Sequence, residues 1–320
     1  MTLPKYNCLI IDEAHYFSGM RGFRKKSGML KVLLWYIKKY DPKCIYGLTA
    51  TPYLSTPWNI YALAQILGRN WNYMTFKHRF FYDVNMGRRY PVPVIKGHIE
   101  NDIADLVNKL GNTVRLDECV DVPEQIFLTE YFELTPTQKK AIKELDDIVH
   151  ISRWTKTHQI CGGTLKGDGY IESTFYESEK MKRLLDLCEE HKKLVIVCRY
   201  NNELSCLYNK LDSFKNKAII NGSVKDRHDI IKQADKEESF ILLIQAACSE
   251  GYELPSFPIM IFYSYDFSLK NYIQMIGRIQ RINAIKKNVY ISLVVKNTID
   301  EDVKKSIDNK KDFDIAIYNK

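Results

Sequence analysis

What the chain lacks narrows its class before any motif is read. Its longest apolar runs, such as 240–247, stop well short of the about 18 residues a membrane span needs. No basic-then-apolar secretory start follows Met1, and there is no internal repeat and no low-complexity tract. None of the eight cysteines (Cys8, Cys44, Cys119, Cys161, Cys188, Cys198, Cys206 and Cys248) belongs to a C-x-x-C pair. They sit mostly inside apolar segments, which reads as buried, reduced thiols rather than disulfides or zinc ligands. The histidines at 78, 98, 150, 158, 191 and 228 have no ligand-like spacing and receive no role. These absences exclude membrane-spanning and secreted classes and lead to the expectation of a cytosolic protein.

What is present fits an ordinary globular protein: 320 residues, 45% apolar and 27% charged. At roughly 150 residues per domain, two domains are expected, each able to bury a core. Forty-seven Lys and Arg against 39 Asp and Glu give a net charge of +8. That excess favours a polyanionic partner, because each neutralised phosphate of a nucleic acid releases counterions.

Short apolar runs at 8–11, 44–48, 194–198, 218–220, 240–244, 259–263 and 289–295 read as buried strands. Segments 29–40, 58–67, 179–191, 204–211, 226–233 and 268–280 carry apolar residues at helical spacing. Near-continuous apolar strands separated by helices predict parallel sheets covered on both faces, an α/β architecture, twice over. Residues 69–128 read as irregular, with one helix near 102–110. Thr135-Pro136 opens a helix expected to run to about 152, with Thr135 as N-cap and Pro136 at its first position. The resulting division is 1–68, a connecting and insertion region at 69–175, and 176–320.

Four short segments carry chemistry. In Leu9-Ile10-Ile11-Asp12-Glu13-Ala14-His15, an apolar strand ends in adjacent carboxylates, where a parallel sheet presents its ligand site. An acidic residue there can hold Mg²⁺ while its neighbour orients a hydrolytic water. Thr49-Ala50-Thr51-Pro52 ends a second strand with small hydroxyl residues; alone it is as well read as a strand-to-loop exit. Gly251 lies in a loop after the apolar strand 240–244. In Gln274-Met275-Ile276-Gly277-Arg278-Ile279-Gln280-Arg281, two arginines three apart share a helix face and can address one anion. Alone, that pair is equally an exposed basic face. Basic residues at Arg21, Arg24, Lys25 and Lys26, and at Arg88 and Arg89, have aromatic neighbours that suit a phosphate backbone with stacked bases.

In this order the segments resemble the motor core of superfamily 2 helicases and translocases. Asp12-Glu13-Ala14-His15 matches the Walker B (DEAH) element, Thr49-Ala50-Thr51 the coupling motif, Gly251 the motif before the arginine element, and Gln274, Gly277, Arg278 and Arg281 that element itself. Phe132-Glu133-Leu134-Thr135-Pro136-Thr137-Gln138, Arg115 with Asp121-Val122-Pro123, and Asn221-Gly222-Ser223 before Arg227 make the chain look most like Swi/Snf-like proteins of the bacteriophage type. The resemblance implies tandem RecA-like domains, ATP and Mg²⁺ as cofactors, and nucleic acid, duplex DNA by preference, as track. It implies that Asp12 holds Mg²⁺, Glu13 activates water, and His15, Gly251, Gln274 and Gly277 line the nucleotide site. Arg281 would reach the γ-phosphate with Arg278 in support, while Thr49 and Thr51 couple nucleotide to track. It also implies the cytosol of a phage-infected bacterial host.

The phosphate-binding loop G-x-x-x-x-G-K-[ST] appears nowhere in the sequence. The expectation is therefore the C-terminal part of a motor whose first domain is cut at its N-terminal side. An upstream segment, or a half-domain on another chain, would supply the phosphate grip. The alternative is an inactive remnant that binds DNA or a partner. A first domain of this kind should expose a sheet edge and apolar surface. No D…E-x-K constellation points to a nuclease.

Overall fold

The computed structural model describes residues 4–20, 26–50, 52–53, 56–85, 91–114, 118, 124–145, 150–167, 173–280, 287–309 and 313. The chain folds as two compact units, Met1–Arg115 and Leu116–Lys320. Both are α/β with parallel sheets, as the alternation of apolar strands and helices predicts.

In the first unit, β1 (Cys8–Ile11) pairs in parallel with β2 (Cys44–Gly47) through α1 (Gly28–Tyr40). Ser27 starts α1 by accepting the Leu30 amide, satisfying a donor the helix cannot. α2 (Pro57–Ile66) is nearly all buried and opens with a Thr56 capping box and Pro57 at its first position. α3 (Tyr73–Phe80), the hairpin β3 (Phe81–Val84) and β4 (Val92–Ile95), and α4 (Glu100–Leu110) complete the unit. Residues 69–110 are therefore more regular than expected: their strands are short and half-exposed, so no apolar run marks them.

One face of the β1–β2 pair, through Leu9, Ile11 and Ile45, packs on a core centred on Trp58, Ile60 and Phe80. The other face is open: Ile10 is 65% exposed, Tyr46 57% and Leu48 53%. Cys8 lies there too, exposed, and Cys44 is half-buried. This corrects the expectation of buried thiols at these two positions. An apolar strand buries both faces only when something covers both. The five other described cysteines, Cys161, Cys188, Cys198, Cys206 and Cys248, are buried as expected; Cys119 lies outside the described residues.

The second unit is built on a six-stranded sheet of order β5-β12-β11-β8-β10-β9, every pair parallel. The strands are β5 (Gln125–Phe132), β8 (Lys193–Cys198), β9 (Lys217–Ile220), β10 (Phe240–Gln245), β11 (Ile259–Phe262) and β12 (Asn288–Val295). Alternate residues feed two cores. Val195, Val197, Leu242, Ile244 and Met260 pack under α9 (Arg227–Lys236), α10 (Leu269–Ile279) and α11 (Ile299–Asp308). Leu194, Ile196, Ile241, Leu243 and Ile261 pack under α7 (Glu179–Glu190) and α8 (Asn201–Lys210). Each fully buried aliphatic side chain contributes on the order of 1.5–3 kcal/mol. The chain passes from β8 outward to β9 and returns across β8 to β11, so a topological switch point lies between β8 and β11.

Two expectations for this unit need correction. β5 is a full strand along β12, missed because Phe127, Leu128 and Tyr131 are exposed at the sheet edge and mask the pattern of burial. The helix opened by Thr135 and Pro136 has the expected cap, with Gln138 closing a capping box, but α5 (Pro136–Lys143) stops early. A separate α6 (His150–Cys161) follows. The small hairpin β6 (Thr164–Leu165) and β7 (Thr174–Phe175) leads into α7.

Candidate functional site

The acidic segment leaves the carboxyl end of β1 as the pattern predicts. Asp12 is exposed, and its Oδ1 accepts the Glu13 amide at 2.9 Å. Glu13 adopts φ 48° and ψ 49°, a left-handed conformation that costs a residue with a Cβ about 1 kcal/mol or more. The ladder holds it there: Leu48 N donates to Ile11 O at 2.9 Å, and Ala14 N to Leu48 O at 2.8 Å. The turn places Glu13 Oε2 3.1 Å from Nδ1 of His15. The same nitrogen lies 2.8 Å from Thr49 Oγ1, at the end of β2. His15 is buried at 2% exposure, fixed further by Ser18, whose hydroxyl donates to the His15 carbonyl at 2.6 Å, and by Asn59 Nδ2, which donates to Ser18 O at 3.2 Å. The geometry thus joins three sequence-predicted residues, Glu13, His15 and Thr49, through one imidazole. Beside them a cavity of about 200 Å³ is lined by Thr49, Pro52, Leu63 and Val107. Thr51 lies outside the described residues.

The second constellation lies wholly in the second unit. The loop after β10 passes Gly251 at φ 86°, where a side chain would have free space but a strained backbone. α10 grips this loop with residues four apart, hence on one helix face. Lys270 Nζ lies 2.9 Å from Glu250 Oε1, Ser249 Oγ donates to Gln274 Oε1 at 3.0 Å, and Arg278 Nη1 donates to Tyr252 O at 2.7 Å. The Leu254 amide closes the clasp on the Arg278 carbonyl at 2.8 Å. Met275 and Ile279 bury the neighbouring side of the helix. Burial pushes the Tyr252 phenol up, against the pull of Arg278. Gly277 has open space where a Cβ would stand. Arg227, the first residue of α9, donates to Val224 O and Asn221 O at 3.2 Å each and thereby fixes the turn at 221–224. Arg281 lies outside the described residues.

Of the basic candidates, Arg21, Arg24, Lys25, Arg88 and Arg89 lie outside the described residues. Lys26 is half-buried, bridges to Met20, and has its pKa lowered by burial. Nearby, Lys77 is paired with Asp83 at 2.6 Å and Arg79 with Asp102.

Sequence reasoning missed a buried ionic cluster at the carboxyl ends of β8, β11 and β12. Lys180 Nζ donates to Asp300 Oδ2 at 2.7 Å, the Val295 amide donates to the same oxygen at 2.9 Å, and His158 Nε2 stands 3.3 Å from Asp300 Oδ1. His158, given no role on spacing alone, also meets the Tyr200 hydroxyl at 3.0 Å through Nδ1. Burial would raise the Asp300 pKa, but Lys180 and His158 draw it down to about 2. Burial lowers His158, with Asp300 opposing. Glu203, fully buried, is pushed up to about 7 by desolvation, against the Ser264 hydroxyl that donates to it and the Lys180 charge. A Cβ at Gly162 would crowd the Glu203 carboxylate, so a larger residue there displaces it. At the rim Arg199 pairs with Asp266 and stacks over Phe267 at 3.6 Å. No spacing rule joins residues so far apart in the chain.

Residues 179–283 match the helicase conserved C-terminal domain. The span runs from α7 through α10 and contains Gly251, Gln274 and Arg278. Over 160 residues, 48% of this chain, the sequence is 28% identical to the ATP-dependent helicase fft2 of Schizosaccharomyces pombe. Over 159 residues, 49% of the chain, it is 29% identical to the chromatin-remodeling ATPase INO80 of Mycosarcoma maydis. The chain spans only 12% and 7% of the lengths of these two relatives. Among solved structures, the C-terminal part of the Fun30 ATPase domain covers 58% of this chain and 89% of its own, with 14% identity and a TM-score of 0.49. The Sulfolobus solfataricus SWI2/SNF2 ATPase core in complex with dsDNA covers 96% of this chain and 67% of its own, with 18% identity and a TM-score of 0.44. Residues 179–283 are thus like the C-terminal domain of helicases, and about half of the chain is like parts of an ATP-dependent helicase and a chromatin-remodeling ATPase. No described helix is long and apolar enough to cross a membrane.

Proposed function

We propose that the chain is the C-terminal portion of a nucleic-acid-dependent ATPase motor of the Swi/Snf-like, bacteriophage type, with duplex DNA as its track. The observation that carries this reading is the clasp between α10 and the Gly251 loop, inside the segment that matches the helicase C-terminal domain. It joins Gln274 and Arg278, the two described polar residues of the arginine element, to the loop before it. In this reading 1–68 is the end of a first RecA-like domain, 69–175 a connecting region that lends β5 to the second sheet, and 176–320 the body of the second RecA-like domain. Two curated relatives named as an ATP-dependent helicase and a chromatin-remodeling ATPase support the same class.

The residues present fit an ATP-bound Mg²⁺ through the chemistry of their donors. Asp12 offers a hard oxygen at an exposed strand end, and the described residues hold no cluster of three or more ligating side chains. A single carboxylate completed by phosphate oxygens and water is the usual arrangement for that ion. Bound there, the metal nucleotide would supply the labile phosphoanhydride and neutralise its charge. Glu13 takes the proton of the attacking water, and the left-handed turn points its carboxylate to His15. His15 links that carboxylate to Thr49 through one nitrogen, so a shift at either end alters the other. Arg281 addresses the γ-phosphate, while Arg278, committed to the Tyr252 carbonyl, positions the Gly251 loop. The phosphate grip comes from an upstream segment or another chain, whose strands would also cover Ile10, Tyr46 and Leu48.

Binding to a labelled DNA duplex across a salt series tests the assignment of the track. Affinity should fall linearly in a log–log plot as phosphate contacts are screened. A chain that ignores duplex DNA at low salt, or prefers RNA, would overturn it.

A further inference from the structure

The described cysteines fall into two kinds. Five are buried; burial pushes the Cys161 and Cys188 thiols up to about 12, and such thiols are inert. Cys8 and Cys44 differ. They are direct partners in the parallel ladder, the first pair of β1 and β2, and lie on the same open face as Ile10 and Tyr46. Neighbouring strands run about 4.8 Å apart, inside the roughly 4.4–6.8 Å that separates the Cα atoms of a disulfide. Cys44 Sγ donates to Asn7 O at 3.8 Å, next to Cys8 in the chain, and the neighbouring Cys44 thiol holds the Cys8 thiol above its ordinary value.

We propose that Cys8 and Cys44 form a reversible dithiol–disulfide pair that staples β1 to β2 on their exposed face. The oxidant is a small-molecule disulfide such as glutathione disulfide. One cysteine, as thiolate, attacks a glutathione sulfur, forms a mixed disulfide and expels one glutathione. The second cysteine, having lost its proton, attacks the protein-side sulfur, closes the Cys8–Cys44 bond and expels the other glutathione. Two electrons pass from the protein pair to the oxidant, and the two thiol protons end on the two glutathiones. β1 runs directly into Asp12 and β2 into Thr49, so the staple fixes the two strands that carry the acidic and hydroxyl segments. The pair stands on the ladder and its exposure, independently of any motor activity.

The test treats the full, folded chain with glutathione disulfide, alkylates the remaining thiols, and maps peptides by mass spectrometry. The expected product is a peptide pair joined through Cys8 and Cys44 within one chain, two hydrogens lighter than the reduced pair, and reopened by dithiothreitol. In Cys44→Ser, glutathione should remain on Cys8 as a stable adduct. Glutathione persisting on both cysteines of the unsubstituted chain, bonds between chains only, or no reaction at either cysteine would each overturn the proposal.

Discussion

The two units solve the same problem, a parallel sheet, with unequal means. In the second, the inner strands of a six-stranded sheet are clad on both faces, and β8, β10 and β11 are buried almost throughout. In the first, two strands carry Asp12, Glu13 and Thr49 while one face remains open. Parallel sheets normally need cover on both sides. The second unit is therefore a self-sufficient scaffold, and the first holds its candidate chemistry by local backbone bonds and one strained turn.

The buried ion pair gives the sharpest way to probe that difference. Lys180→Met leaves Asp300 buried without its ammonium partner and should cost the second unit about 3–5 kcal/mol. Denaturant titration followed by Trp154, the second unit's one tryptophan, would measure it. A loss below about 1 kcal/mol would mean that the cluster is solvated and the unit less closed than described. Next in size, Ile196→Ala on β8 should cost about 2–5 kcal/mol, whereas Ile10→Ala on β1 should stay within about 0.5 kcal/mol. Equal costs would erase the contrast between the sheets.

Much of this contrast was legible in the sequence, for a physical reason. Strands buried on both faces read as continuous apolar runs, and Leu194–Ile196–Cys198 or Phe240–Leu242–Ile244 need nothing more. The same run at Cys8–Ile11 looks identical; only the missing phosphate-binding loop, and not the run itself, pointed to apolar surface left uncovered in the first domain. β5 hid for the opposite reason: as an edge strand it alternates poorly, with Phe127 and Tyr131 outward. The stop of α5 after Lys143 has no glycine or proline to announce it. Of the candidate site, the strand-end carboxylates and the arginine helix were legible by residue type and spacing. The inner cluster of Lys180, Glu203 and Asp300 was not, since charged residues default to the surface and only the fold brings these together.

Glu203 extends the comparison to pH. Its folded pKa, about 7, lies above the ordinary 4.5, so the folded chain holds a proton that the unfolded chain releases. Stability should therefore fall as pH rises from about 4.5 to 7, by at most about 3 kcal/mol at roughly 1.4 kcal/mol per unit. Asp300 acts in the opposite sense, its contribution being lost only as pH falls from about 4 towards 2. Melting curves of Glu203→Gln should be flatter across pH 4.5–7; an unchanged slope would show that Glu203 does not carry the effect. The smallest effect belongs to the first unit. Glu13→Gly relieves a left-handed residue and should stabilise that unit by up to about 1 kcal/mol while removing the carboxylate. A destabilised variant would mean that the contact to His15 outweighs the strain.

The most direct test is phosphate release from MgATP, with and without duplex DNA, by the chain alone and by the chain joined to the phosphate-loop half-domain of a Snf2-type motor. The account predicts silence from the chain alone, and DNA-stimulated release with the half-domain that vanishes in Glu13→Gln and Arg281→Ala. Turnover by the chain alone, or none once the half-domain is bound, would contradict it.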